Sequence, residues 1–301
     1  MRRSAVIAII VVVMLSLPAA AAVTGSFERT LQVSGPVQLE VKTGSGDISI
    51  RKGEDKSVRV YGRIRAHEGL FGGDPREKVR KLEKDPPIQQ SGNLIRIGHV
   101  NDHELFNNVS ISYEIVVPAE TRVTANTGSG KLELERVQGP AKLNSGSGNI
   151  TVTGIDDRVE AEAGSGSLDL SMIKGDVVAH TGSGHIKIER VGSVDAHTGS
   201  GGMEILDMKG RLRAETGSGD VHVEGTPTGD WKVQTGSGRV TLRVGGNAGF
   251  DLRAHTGSGN IDTDLPVTVS GRQDRHELNG KVRGGGPLVE MRTGSGNLRI
   301  E

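Results

Sequence analysis

The sequence contains no cysteine. That absence removes a lipid-bearing cysteine after a leader, and it removes the disulfide staples on which small secreted scaffolds depend. Aromatic residues make up only 2% of the chain, with one tryptophan, Trp231, and two tyrosines. A core with so few rings must be thin, and a contiguous aromatic platform for stacking sugars is poorly supplied. Charge of one sign is lacking too, because 37 basic residues balance 37 acidic ones. No bulk field therefore draws the protein to nucleic acid or an anionic membrane. Beyond the first residues there is no long hydrophobic run, and the closing NLRIE lacks the terminal aromatic of an outer-membrane barrel strand.

What is present begins with Arg2 and Arg3, an apolar run from Ala5 to Leu17, and small residues at Ala20 and Ala22. This pattern reads as a signal peptide over residues 1–22, cleaved before Val23. The apolar run falls short of the about 20 residues that cross a bilayer. The mature chain, 23–301, is expected to be a single exported domain, periplasmic or secreted, with no membrane span.

Glycine is abundant, with 45 residues, and it falls at intervals. The triplet G-S-G starts at Gly44, Gly128, Gly146, Gly164, Gly182, Gly199, Gly217, Gly236, Gly257 and Gly294. From Gly128 the steps are 18, 18, 18, 17, 18, 19, 21 and 37, the last resembling two coils with one turn lost. A short fixed period is the signature of a solenoid. Within each unit apolar residues alternate, as in Val177, Ala179 and Thr181 before the triplet and Ile186 and Ile188 after it. Such alternation marks strands with one buried face. The expected fold is all-β, a single-stranded right-handed parallel β-helix of about 18 residues per coil, the hand following from the usual sense of parallel crossovers. Small residues precede the triplet (Ala125, Ala161, Ala179, Ala196, Ala214, Ala254) and large aliphatics follow it, so two close sheets can interdigitate.

The glycine pairs Gly128/Gly130, Gly146/Gly148, Gly164/Gly166, Gly182/Gly184, Gly199/Gly201, Gly217/Gly219, Gly236/Gly238 and Gly257/Gly259 are read as structural turns. Two reasons favour glycine there: it accepts a positive φ without strain, and without a Cβ it lets stacked corners approach to strand spacing. The threonine or serine before the triplet can bond the turn backbone.

Periodicity fails over 64–109, where Asp74-Pro75 opens a short charged helix near 75–84 that Pro86-Pro87 ends. This excursion is expected to cap the N-terminal end of the rod, as an open coil edge polymerises. A polar excursion over 264–286 either folds over the far end or leaves that end to pair with another subunit.

Chemistry is sparse. Repeat lengths vary too little along most of the array to wall a catalytic cleft, there is no G-x-S-x-G elbow, and no G-S-G continues into a dinucleotide fingerprint. Residues after the triplet include Lys131 and Arg239, which argues against a calcium ladder. One column could hold a divalent metal: Glu162, His180, His197 and Glu215 fall on consecutive coils, and imidazoles are apt ligands. The plainer reading is an exposed polar ladder. Threonine at eight of ten corners offers a regular array for carbohydrate. No catalytic residue and no cofactor is expected.

The opening SFERTLQV, the passage VSISYEIVVPAETRVTANTGSGKLEL, the iterated T-G-S-G-x-I-x-I units and the closing GGGPLVEMRTGSGNLRIE resemble the bacterial family of adhesin-like β-strand-repeat proteins, whose domain has no assigned function. The resemblance spans the mature chain and implies an exported right-handed β-helix without catalytic residues. The charged 65–108 stretch departs from the family pattern. The expected role is a non-enzymatic envelope scaffold for protein or surface contacts, with a carbohydrate-binding or carbohydrate-active β-helix as the alternative. Expected partners are an envelope protein or a surface glycan, or a second copy through the coil ends.

Overall fold

The computed structural model describes residues 22–54, 56–68, 73–99, 102–269 and 274–301; residues 1–21, nearly all of the expected signal peptide, lie outside them. Two long sheets, of thirteen and fourteen strands, run along the molecule as the walls of an all-β solenoid. Along most of its length the strands are parallel. Ile150 pairs with Leu168 and then Leu168 with Ile186 in one sheet, while Ala161 pairs with Ala179 and Ala179 with Ala196 in the other.

Alternation creates the core. In Val177–Thr181 every second residue is buried, and in Ile186–Val191 the buried set is Ile186, Ile188 and Val191. Leu132, Ile150, Leu168, Ile186, Met203, Val221, Val240 and Leu298 form one aliphatic column, each no more than 2% exposed. Facing it, Ala161, Ala179, Ala196 and Ala214 are wholly buried, with Leu143, Val233 and Met291 as larger members of the same column. Large against small lets the sheets close without voids.

The described residues of the 64–109 excursion form a cap, and most of them are in regular elements. Strands Val23–Gln32, Ser57–Ala66 and Val109–Val117 stack antiparallel beyond Ile48–Lys52, which closes one sheet. The hairpin Ile88–Ser91/Leu94–Ile97 continues the other sheet beyond Val37–Thr43. The periodic signal fails here because antiparallel neighbours need no eighteen-residue step. Helix Pro75–Lys84 starts on Asp74, whose carboxylate accepts the Arg76 N–H at 2.8 Å. It buries Val79 and Leu82 against the outer strands, and its Glu83 accepts the Ser26 backbone N–H at 3.0 Å. An edge N–H is thereby removed from the pool available to another chain.

At the far end the spatial order of coils departs from the chain order. The strand Leu288–Ser295 lies between Trp231–Ser237 and Phe250–Ser258, parallel to both, and Leu298–Ile300 lies between Val240–Val244 and Ile261–Thr263. The chain leaves a slot after residue 244, builds the next coil, reverses through the antiparallel strand Glu277–Val282, and returns to fill the slot with its last residues. The 37-residue step is therefore not two successive coils with one turn lost. It is an excursion and a return. Within 264–286 the described strands Val267–Val269 and Glu277–Val282 extend one sheet antiparallel beyond Phe250–Ser258, while the other sheet ends on the parallel strand Ile261–Thr263.

Left-handed backbone also sits away from where the repeat suggested. On four coils it falls at the end of the second strand, at Arg136 just after Leu132–Glu135 and at Met172, Arg190 and Asp207, each one residue before its strand ends (φ between 51° and 57°), with Gly154 (φ 74°) in the same column. Gly128, Gly146, Gly164 and Gly182, and the glycines two residues after them, turn the chain without a positive φ. Only the second glycine of the last five triplets has one: Gly201 (154°), Gly219 (148°), Gly238 (150°), Gly259 (144°) and Gly296 (148°).

For those last triplets the expected two-glycine turn is corrected. Gly199, Gly217, Gly236 and Gly257 continue the preceding strand, which ends at the serine, as in Val194–Ser200 and Phe250–Ser258. The bend is confined to Gly201, Gly219, Gly238 and Gly259. The cause is a ladder carried past the threonine: Ser200 pairs with Ser218 and Ser258 with Ser295, and the Gly201 N–H donates to the Ser218 carbonyl at 2.9 Å. The reason for glycine common to all triplets is the close approach. A Cβ on Gly182 would stand 2.5 Å from the Gly164 carbonyl oxygen, and one on Gly184 would stand closer still to that of Gly166. At Gly201 and Gly259 both reasons apply, since a Cβ would overlap the carbonyl oxygens of Gly184 and Gly296.

Candidate functional site

Seven of the eight threonines before the triplets are internal, and Thr43 is half-buried. Thr127, Thr181, Thr198, Thr216, Thr235, Thr256 and Thr293 are all at most 6% exposed. Each hydroxyl donates to a glycine carbonyl of the neighbouring coil: Thr181 to Gly166 at 2.8 Å, Thr198 to Gly184 at 3.2 Å, Thr293 to Gly238 at 3.1 Å and Thr256 to Gly296 at 2.9 Å. Thr127 also accepts the Gly130 N–H at 3.0 Å, the local bond expected from sequence. The idea of a threonine array facing carbohydrate is overturned. Period-two alternation continues through Val177, Ala179 and Thr181 into the core, so the hydroxyls tie coil to coil.

One coil lacks this tie, because Ala163 stands where Ser145 and Thr181 stand in its neighbours. Ala163→Ser should supply a donor to Gly148 and an acceptor for the Gly166 N–H. The expected gain is about 1 kcal/mol, read as a higher urea midpoint at unchanged slope. No gain would show that the hydroxyl tie is energetically idle.

The column Glu162, His180, His197 and Glu215 is in register, each residue opposite the next. His180 and His197 meet edge to face with ring centroids 6.2 Å apart. Glu215, however, accepts two hydrogen bonds from Arg213, both 3.1 Å, and has Lys232 at 3.7 Å. The Arg213 guanidinium holds its carboxyl below the ordinary glutamate range. Among the described residues no group of three or more His, Cys, Asp or Glu side chains is arranged to hold a metal ion. Glu215 is thus already paired with Arg213 and Lys232, which fits the plainer reading of the column as a polar ladder.

Ion pairs step from coil to coil across the outer faces: Lys142 with Glu160, Lys174 with Asp156 at 2.8 Å, Lys187 with Glu204 at 3.6 Å and Arg243 with Glu301 at 2.9 Å. Exposed pairs of this kind stabilise little, typically under about 1 kcal/mol each. Their effect is to set a mixed charge pattern along both faces.

A cleft that the repeat pattern did not suggest opens at the N-terminal cap. It measures about 760 Å³ and lies among Glu40, Lys42, Gln89, Arg96, Phe106 and Tyr113. Glu40, Arg96 and Gln89 stand side by side on adjacent strands, and Arg96 donates to Glu40 at 2.9 Å. Tyr113 is inward on Val109–Val117, 2% exposed, with its ring 6.4 Å from that of Phe27. Burial pushes its phenol above the ordinary tyrosine range, with no hydrogen bond contributing to the shift. The signal for this site was one polar-tipped residue in the inward series Ile111, Tyr113, Ile115.

No curated protein matches the chain. A crystal structure of a candidate cell adhesion protein from Clostridium sporogenes ATCC 15579 is similar over 92% of this chain and 99% of its own, at 14% identity and a TM-score of 0.24. A candidate adhesin from Bacteroides fragilis NCTC 9343 is similar over 92% and 97%, at 13% identity and a TM-score of 0.42. A family model described as Toastrack DUF4097 matches residues 88–301, which takes in every regular coil from Thr121 onward together with the C-terminal return, and the chain belongs to that family.

Proposed function

We propose that the protein is an exported, non-enzymatic scaffold of the cell envelope, a right-handed β-helix of about eighteen residues per coil whose outer faces make adhesin-like contacts. The observation that carries this reading is the pair of long sheets built of in-register coils, whose outer faces form an extended display surface, with antiparallel strands at three of the four sheet ends. Register offsets such as Ile150 to Leu168 support the coil length, and the usual sense of parallel crossovers supports the hand. Export rests on the basic, apolar and small-residue pattern of residues 1–22, and Val23 is its expected mature N-terminus.

The mixed charge ladders supply the recognition surface, so binding should be electrostatically patterned and should weaken in salt. The test is co-sedimentation of the purified protein with isolated envelopes of the source bacterium. Wild type is expected in the pellet at about 0.15 M salt, and Lys142→Glu with Lys232→Glu should lower the bound fraction several-fold. A wild type that stays wholly in the supernatant sinks the reading.

A further inference from the structure

The cleft at the N-terminal cap is separate from the outer faces of the regular coils, and a tyrosine hydroxyl without a protein partner opens on it. Tyr113 is 2% exposed; its hydroxyl makes no hydrogen bond among the described residues and is not one of the fully buried unpaired side-chain atoms, so it opens on the cleft. The hydroxyl lies beside Gly98, where an added Cβ would stand 3.6 Å from it, and both residues line the cleft. A hydroxyl that opens on a cleft without a protein partner is free to donate to whatever polar group enters there. Lys42, exposed on the same wall, makes no ion pair among the described residues. A volume of about 760 Å³ is within the range of small-molecule sites.

The lining also says what would fit. Tyr113 remains protonated, so it offers a donor to an acceptor oxygen. Lys42 offers an unneutralised cation to one negative charge. Glu40 needs donors beyond Arg96, and hydroxyl groups supply them, whereas a dianion such as phosphate would meet its carboxylate unfavourably. Gln89 both donates and accepts, and half-buried Phe106 adds an apolar wall. We propose that this cleft binds a small hydroxylated monocarboxylate of the uronic-acid class, with its carboxylate at Lys42, its hydroxyls at Glu40, Gln89 and Arg96, and one acceptor oxygen at the Tyr113 hydroxyl.

Calorimetric titration of the purified protein with D-glucuronate and D-galacturonate tests this, with D-glucose, D-galactose and inorganic phosphate as comparators. At least one uronate should bind saturably and more tightly than any comparator. Tyr113→Phe keeps the ring and removes only the unpaired hydroxyl, so its unfolding midpoint should stay or rise while affinity falls about tenfold. A purely structural tyrosine would not separate those readouts. Lys42→Ala, at an exposed position, should weaken binding without touching the core, and it serves if the tyrosine variant folds poorly. The proposal is overturned if neither uronate gives saturable heat at millimolar concentration, if neutral sugars or phosphate match the uronates, or if both variants bind like wild type. Envelope binding through the outer ladders can succeed or fail independently of each of these results.

Discussion

Gly184→Ala is expected to cost about 4 kcal/mol or more, enough to abolish cooperative unfolding or shift its midpoint far down, while Ser183→Ala beside it changes stability by less than about 0.5 kcal/mol. The Ser183 side chain is exposed, so it should be indifferent. Neither Gly182 nor Gly184 has a positive φ, so alanine meets no backbone strain at either position. What it meets is the coil below. The methyl of Gly184→Ala would overlap the Gly166 carbonyl oxygen and stand 3.0 Å from the Thr181 hydroxyl oxygen. That carbonyl is also the acceptor of the Thr181 hydroxyl, so relieving the clash breaks the tie between coils. Gly182→Ala, with 2.5 Å to the Gly164 oxygen, should fall between the two. Urea unfolding followed by far-UV circular dichroism ranks the three variants. Equal midpoints for Gly184→Ala and Ser183→Ala would falsify the account of the triplet as a stacking device.

That ranking refines what the repeat says by itself. Alternation made the ladders legible: Ile150, Leu168 and Ile186 are buried neighbours as their spacing requires, and His180 and His197 meet because they are one coil apart. Less legible was the direction in which the threonines point. A motif of turn-forming residues invites a surface reading, yet the parity of Val177, Ala179 and Thr181 already placed Thr181 inside. The general lesson is that parity outranks residue polarity when a hydroxyl has a carbonyl to meet. The conformation of each triplet was hidden as well, because Gly201 and Gly184 share one motif and differ in φ.

Long-range order was not legible for a different reason. Every coil carries nearly the same apolar pattern, so local sequence cannot tell Leu288–Ser295 which pair of neighbours it should separate. The same degeneracy hides the cap, where strands Ser57–Ala66 and Val109–Val117 pair antiparallel with no periodic relation to the array. Tyr113 escaped notice because it keeps the inward parity of Ile111 and Ile115, and that parity does not show that it lines a cleft.

Removing residues 287–301 should expose Trp231 and detach the last coils while the preceding array stays folded. In the intact chain Val289, Met291, Leu298 and Ile300 are completely buried, the first two between Trp231–Ser237 and Phe250–Ser258 and the last two between Val240–Val244 and Ile261–Thr263. Four such side chains contribute roughly 6 to 12 kcal/mol by burial, an upper estimate. That is comparable with the whole stability of a typical domain, about 5 to 15 kcal/mol. Solenoid coils interact chiefly with nearest neighbours, so the loss should stay local and leave most far-UV signal intact. Trp231 pairs directly with Val289 and is the sole tryptophan, which makes its emission a direct reading of the slot. Truncation is expected to shift that emission to the red, and a synthetic peptide of residues 287–301 added in trans should shift it back. Recovery should depend on the stacked corner: a peptide carrying Gly294→Val should fail, because a side chain there meets the Gly236 carbonyl oxygen at 2.6 Å. If the truncated chain keeps blue-shifted emission and ignores the peptide, the coil at 250–263 has closed directly onto Trp231–Ser237, and the return of the C-terminus is dispensable for the stack.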